Sequence, residues 1–325
     1  MSGRLLIYGA TGYSGRLIAE HAAATGLDVI VGGCEPGIVA ALAENLGVEG
    51  WAFGVDDRDK MLDHLSNVDC VLSAAGPFRN TARQVINACI ETGVHYLDVC
   101  MEFTVFAFAA SRANDAANAG VMLMCGGSWG VVVPDCLALH TAHRVTDAER
   151  LTIALRVTGS HTRGSLDSVN DVPELGPLVR RRGALITLEE AEPRQLDFGY
   201  GPEECIPAAL ASLVSAHQAT GIENIDVFLD TAAGCVTIDS PPAIPSREEL
   251  VQGRYQALAE VTDASGRAVR SLIDTPNAYA FSQLCSVEIA RRILAGEFTA
   301  GYQSPASVYG SSFVTAIGDT KIVDL

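Results

Sequence analysis

Gly9, Gly12 and Gly15 follow an apolar run that starts at Arg4 and precede an apolar stretch from Leu17 to Ala24. A G-x-x-G-x-x-G turn between a strand and a helix is suited to cradling a dinucleotide pyrophosphate. The first glycine turns the chain sharply, the second lets the backbone approach the phosphates, and the third lets the helix pack closely. Amide groups at the helix start face the anion. Thr11 and Ser14 add hydroxyl donors, and Tyr13 lies in the same turn. Glycine turns also serve structural ends, but the flanking strand and helix favour nucleotide binding.

A second candidate is Ala75-Gly76-Pro77-Phe78, which follows a predicted fourth strand. Glycine there lets the chain pass under a cofactor sugar, and Phe78 supplies an apolar wall. The alternative is an ordinary turn into the helix that follows.

These residues need a sheet to bring them to one edge. Strands are predicted from Arg4, then over Asp28–Gly32, Trp51–Gly54, Asp69–Ala75, Tyr96–Val99 and Val121–Met124. Helices are predicted between them over Leu17–Ala24, Pro36–Leu46, Asp57–Leu65, Thr81–Thr92 and Val105–Ala119. The alternation implies an α/β fold with an N-terminal Rossmann-type, doubly wound parallel sheet, its ligands at the carboxyl ends of the strands. After the glycine-rich stretch at residues 125–130, a helix over Pro134–His143 leads into a strand, Leu151–Val157. Shorter strands follow, at Asn224–Leu229, Cys235–Ile238, Leu258–Thr262 and Ala268–Ile273, the last two linked as a hairpin through Asp263-Ala-Ser-Gly266. This pattern predicts a second α+β domain built on a largely antiparallel sheet. The expected division is a dinucleotide-binding domain at 1–130, a substrate and dimerisation domain at 131–275, and a C-terminal helix (Asn277–Leu294) and tail at 276–325 that pack back on the nucleotide domain.

The chain has 325 residues, 48% of them hydrophobic, and a net charge of −17. That charge repels nucleic acid and anionic membranes, so neither is an expected partner. Nine cysteines without a C-x-x-C pair suit a reducing cytoplasm better than thiolate metal sites, and no metal is expected. No secretory leader pattern or membrane-length apolar run is seen, so a soluble, cytoplasmic protein is expected. Lys60 and Lys321 are the only lysines, and neither has the tyrosine four residues earlier that a short-chain dehydrogenase needs: Asp56 and Ile317 stand there. His140 and His143 lie three apart with no third ligand at metal spacing, which favours a structural role. Arg180-Arg181-Arg182 reads as a solvated turn, with an anionic substrate handle as the alternative. Asp135, after Pro134, reads as a carboxylate in the first turn of a helix.

Several segments in order, Gly9–Arg16, Ala75–Phe78, Gly93-Val-His-Tyr-Leu-Asp98, Arg163-Gly-Ser165, Gly221–Ile225, Gly296-Glu-Phe298 and Gly301–Pro305, resemble the saccharopine dehydrogenase-like oxidoreductases. The branch resembled is the one containing the trans-acting enoyl reductases. The resemblance implies an NAD(P)H cofactor and hydride transfer to a polarised C=N or activated C=C bond. The substrate implied is a small molecule or an acyl-carrier-bound compound, and fold analogy adds a homodimer.

Departures from the family pattern are equally specific. An arginine that commonly meets a 2′-phosphate is replaced by Cys34, followed by Glu35, which leans toward NAD if it meets a ribose hydroxyl. Glu35 reads equally as a helix N-terminal charge. In the stretch Tyr96-Leu-Asp-Val-Cys-Met-Glu102, Met101 stands where the family has glycine, and Gly130 replaces an aspartate. Asp98 and Glu102 could orient substrate or move a proton, or could cap neighbouring helices. Arg163 could pair with a substrate carboxylate or polarise a carbonyl, or could form a salt bridge. The departures also support a different function, a non-catalytic nicotinamide-nucleotide sensor or accessory subunit.

Overall fold

The computed structural model describes residues 3–169, 176–190, 192–231 and 243–325. They form two compact units. The first runs to Cys100, resumes over Thr104–Ser128 and closes with Ser282–Gln303; the second takes Met101–Phe103, Trp129–Phe281 and Ser304–Leu325.

In the first unit, β1 (Arg4–Tyr8), β2 (Asp28–Gly33), β3 (Glu49–Ala52), β4 (Cys70–Ser73), β5 (His95–Asp98) and β6 (Met122–Met124) alternate with helices. These are α1 (Tyr13–Ala24), α2 (Pro36–Leu46), α3 (Arg58–Leu65), α4 (Phe78–Thr92), α5 (Phe103–Ser111) and α6 (Ala113–Asn118). β1, β4 and β6 are buried almost throughout, as expected of parallel strands covered on both faces. The predicted single helix over 105–119 divides at Arg112, whose N–H bonds Ala109 three residues back. A seventh parallel strand, β15 (Gly301–Gln303), pairs with β6 from the far end of the chain. Sheet order is β15-β6-β5-β4-β1-β2-β3. Strand order therefore reverses between β1 and β4, where such sheets bind ligands.

The second unit begins with α7 (Trp129–Ala142), which starts ahead of the predicted Pro134. Trp129 and the run Val131–Val133 are almost fully buried, so packing supports a helical turn before a proline that local rules would place at a helix start. Its sheet is built from β7 (Ala148–Arg156), β8 (Leu178–Arg181), β9 (Ala184–Thr187), β10 (Arg194–Asp197), β11 (Pro202–Pro207), β12 (Asn224–Asp230), β13 (Arg254–Asp263), β14 (Ala268–Pro276) and β16 (Lys321–Asp324). The path is β10-β11-β12-β7-β13-β14-β16, with β8 on β12 and β9 on β8; among the described strands of this sheet only β12 and β7 run parallel. α8 (Arg163–Val169), α9 (Ser212–Thr220), α10 (Arg247–Gln252) and α12 (Pro305–Tyr309) accompany it. The predicted hairpin is β13–β14, turned at Gly266 with φ +85 and tied by Asp263, which accepts three hydrogen bonds from Ser265 and Arg267. The predicted strand Cys235–Ile238 lies outside the described residues.

α11 (Ala278–Leu294) crosses the division between units at Ser282. In contrast to the expected single return of residues 276–325, the stretch divides: Ser282–Gln303 groups with the first unit and Ser304–Leu325 with the second. β16 pairs with β14 from Ser271↔Asp324 to Asp274↔Lys321, which fixes that end of the chain on the second sheet.

Candidate functional site

The glycine turn is held by the sheet itself. Gly9 adopts φ +83, and the N–H groups of Gly9 and Ala10 both bond the Gly32 carbonyl, at 2.9 and 3.1 Å. A Cβ on Gly9 would lie 2.6 Å from the Ala75 nitrogen, and one on Gly15 would run into the Gly9 carbonyl. These two glycines are demanded by backbone packing. Gly12 differs: a Cβ there meets nothing nearer than the Gly9 carbonyl at 3.5 Å. Gly12 is exposed, caps α1 with no side-chain hydrogen bond, and is followed by a first turn without a carboxylate. An uncapped helix start behind an open glycine suits a pyrophosphate. Thr11, Tyr13 and Ser14 are half-buried in the same turn.

The neighbouring strands bring the other predicted cofactor residues to this edge. Ala74 donates to the Tyr8 carbonyl at 2.7 Å, so the chain leaves β4 beside the glycine turn. Ala75, Gly76 and Pro77 then lead into α4, with a cis peptide between Gly76 and Pro77 and with the Thr81 hydroxyl on the Ala75 carbonyl at 2.6 Å. Gly76 is exposed and Phe78 is buried. At the end of β2, a Cβ on Gly33 would lie 3.4 Å from Thr11 Oγ1. Cys34 and Glu35 follow it and are exposed. Glu35 occupies the N-cap position of α2 without a side-chain cap bond. Arg58, which follows β3, is paired with Glu91 at 2.5 Å.

Asp98 ends β5 with no exposure. Its Oδ1 accepts from Gly126 N–H at 2.7 Å and Cys100 N–H at 3.0 Å, and its Oδ2 accepts from the Tyr96 hydroxyl at 2.8 Å. Burial pushes its pKa up to about 6, against the lowering effect of those hydrogen bonds. The geometry is that of a clamp joining the ends of β5 and β6. Glu102 is buried as well and groups with the second unit. Arg163, the first residue of α8, is exposed in that same unit.

Asp135 corrects the sequence reading. Because α7 starts at Trp129, Asp135 lies inside the helix rather than in its first turn, and it is fully buried. Ser212 Oγ donates to its Oδ1 at 2.7 Å, tying α7 to α9. Burial pushes this acid up to about 7, against hydrogen bonds from Ser215 and Ser212 that lower it.

The arginine run separates by side chain. Arg180 is buried on the Leu213 carbonyl at 2.6 Å, Arg181 pairs with Asp226 at 2.5 Å, and Arg182 turns the β8–β9 link at φ +48. His140 contacts Asp324 at 2.9 Å and His217 contacts the Ile222 carbonyl at 3.0 Å. Among the described residues no group of three or more His, Cys, Asp or Glu could hold a metal ion. Sequence reasoning missed a hydroxyl cluster beside Arg163. The Tyr279 hydroxyl accepts from Thr162 N–H at 3.0 Å and lies 2.7 Å from Ser165 Oγ. These residues are far apart in sequence, and no motif spacing announces them.

A parallel sheet whose strand order reverses beside an open glycine turn defines a Rossmann-type, NAD(P)-binding class of domain. More particularly, residues 5–124 match the family described as saccharopine dehydrogenase NADP binding domain. The chain is similar to the trans-acting enoyl reductase of Mycobacterium leprae (strain TN), 27% identical over 227 residues, which cover 61% of this chain and 52% of that protein. It is also similar to the trans-acting enoyl reductase of Mycobacterium ulcerans (strain Agy99), 25% identical over 152 residues, covering 43% and 35%. The chain thus spans about a third to a half of the curated relatives it matches. In fold it is similar to an apo saccharopine dehydrogenase (L-Glu forming) from Saccharomyces cerevisiae, with a TM-score of 0.64, 13% identity, and 99% and 100% of the two chains covered.

Proposed function

We propose that the protein is an NAD(P)H-dependent reductase that transfers hydride to a polarised C=N or activated C=C bond of a small or carrier-bound substrate. The observation that carries this reading is the open Gly12 at an uncapped helix start, at the strand-order reversal of the first sheet. A nicotinamide cofactor supplies the hydride when bound. Thr11, Gly12, Tyr13, Ser14, Cys34, Glu35 and the Ala75–Phe78 turn would hold it, while Gly9 and Gly15 shape the turn beneath. Asp98 positions the ends of β5 and β6 rather than reacting, since its two oxygens already accept three structural hydrogen bonds. In the second unit, exposed Arg163 pairs with a substrate carboxylate or polarises an acyl carbonyl. The names of the mycobacterial relatives support an enoyl group as the acceptor.

The same reading includes a homodimer formed through the second sheet, whose β9 exposes Leu185 and Ile186. It also includes a reducing cytoplasmic location, which the free state of every described cysteine supports. No helix among the described residues is long and apolar enough to cross a membrane.

Titration of NADH and NADPH by nicotinamide fluorescence, followed by oxidation assays with imine and enoyl-thioester panels, tests the proposal. Turnover on either panel is expected. Tight binding with no turnover on both panels would favour a nucleotide sensor, and absence of binding would remove the nucleotide reading altogether.

A further inference from the structure

We infer that the adenosine end of the site selects NAD(H) over NADP(H), with Glu35 as the discriminating residue and Cys34 standing where a cation would be needed. The inference rests on the nucleotide-binding reading above and concerns which coenzyme that site takes.

The ends of three strands meet at this corner of the first unit. β2 and β3 pair from Ile30↔Glu49 to Gly33↔Ala52, and Phe53 N–H continues the contact by bonding the Gly33 carbonyl at 2.9 Å. Gly33 adjoins Thr11 of the glycine turn, so residues 34 and 35 emerge beside it. The Tyr8 hydroxyl, at the end of β1, donates to the Phe53 carbonyl at 3.1 Å. Burial, and after it Cys34 and Asp56, push that hydroxyl up to about 12, which places both residues within electrostatic reach of the β1 terminus.

Charge at this corner is acidic, and its cations are already engaged. Glu35, Asp56 and Asp57 follow the ends of β2 and β3. Arg58 is paired with Glu91 at 2.5 Å, Lys60 Nζ donates to the Ala52 carbonyl at 2.9 Å, and Arg16 is paired with Glu20 at 3.3 Å. Glu35 is exposed and spends no side-chain hydrogen bond on capping α2. A free carboxylate can accept from a ribose 2′-hydroxyl, whereas a 2′-phosphate beside it meets like charge and has no unengaged guanidinium to receive it. The preference therefore runs against the NADP named in the matching family's description.

The test compares dissociation constants for NADH and NADPH, read by nicotinamide fluorescence on the wild-type chain, on Glu35→Ala and on Cys34→Arg/Glu35→Ala. Circular dichroism confirms that each variant is folded. Wild type is expected to bind NADH at least tenfold more tightly. Glu35→Ala should shrink that ratio, and the double variant should reverse it. Equal binding of the two coenzymes, tighter NADPH binding, or a ratio unmoved by Glu35→Ala overturns the preference while leaving nucleotide binding intact. If neither coenzyme binds, the parent reading fails and this inference falls with it.

Discussion

Met101 fills the space that a side chain at position 130 would take. A Cβ on Gly130 would lie 3.0 Å from Met101 Cγ and closer still to its Sδ and Cε. The two positions departing from the family's glycine and aspartate are thus one packing arrangement within the second unit. Gly130→Ala should destabilise the protein by roughly 1–3 kcal/mol through overpacking, and Met101→Ala should relieve most of that cost. A double-mutant cycle in urea reads the coupling. Strict additivity would contradict the arrangement.

The three glycines of the first turn should respond differently to alanine. Gly9→Ala and Gly15→Ala force a Cβ against backbone, so both should lower Tm. Gly12→Ala should leave Tm nearly unchanged and weaken NADH or NADPH binding about tenfold or more. Calorimetric unfolding and fluorescence titration of the same three proteins distinguish structural glycines from the ligand-facing one.

Asp135 should make stability fall as pH rises. Its folded pKa of about 7 lies above the ordinary carboxylate value of 3.8, so the folded state holds a proton that the unfolded chain releases. The contribution is complete below about pH 4 and is lost as pH climbs to about 7. Asp135→Asn keeps an acceptor for Ser212 and cannot ionise. The variant should gain stability relative to wild type across that window, by a few kcal/mol at pH 8. A difference independent of pH between 4 and 8 would argue against a proton held by Asp135.

Removing the Asp98 carboxylate should be felt by three buried donors at once. Asp98→Ala strands Gly126 N–H, Cys100 N–H and the Tyr96 hydroxyl, at a cost of about 3 kcal/mol or more. Asp98→Asn keeps acceptors for the two amides and should be milder. If Asp98→Ala instead unfolds like wild type and loses only turnover, the carboxylate acts chemically rather than as a clamp.

Arg163→Ala should separate binding from folding. The guanidinium is exposed at the start of α8, so Tm should stay within about 2 °C of wild type. KM for an acidic or acyl substrate should rise severalfold while coenzyme affinity is unchanged. An unaltered KM would move substrate recognition elsewhere.

Much of the first sheet was legible in the residues because local rules and burial agree there. The predicted Pro36–Leu46 helix is α2 residue for residue, with proline at its first turn and Gly47 in the left-handed region at its end. α4 likewise ends at left-handed Gly93, directly after the predicted end at Thr92. The glycine turn was legible because a strand and a helix flank it, and backbone packing demands Gly9 and Gly15 there. The places of Asp98 and Asp135 were decided by tertiary packing. Nothing local distinguishes a strand-end aspartate that reacts from one that ties two loops, and only the fold brings the amides of Gly126 and Cys100 onto Asp98. Pro134 marks a helix start by local rules, yet burial of Trp129–Val133 extends α7 past it and carries Asp135 into the interior. Sequence determined the periodic elements and the glycine turn, whose causes lie within a few residues. The tertiary structure decided the pairs distant along the chain, Met101 with Gly130, Ser165 with Tyr279, and β15 with β6, because their partners are chosen by space and not by spacing.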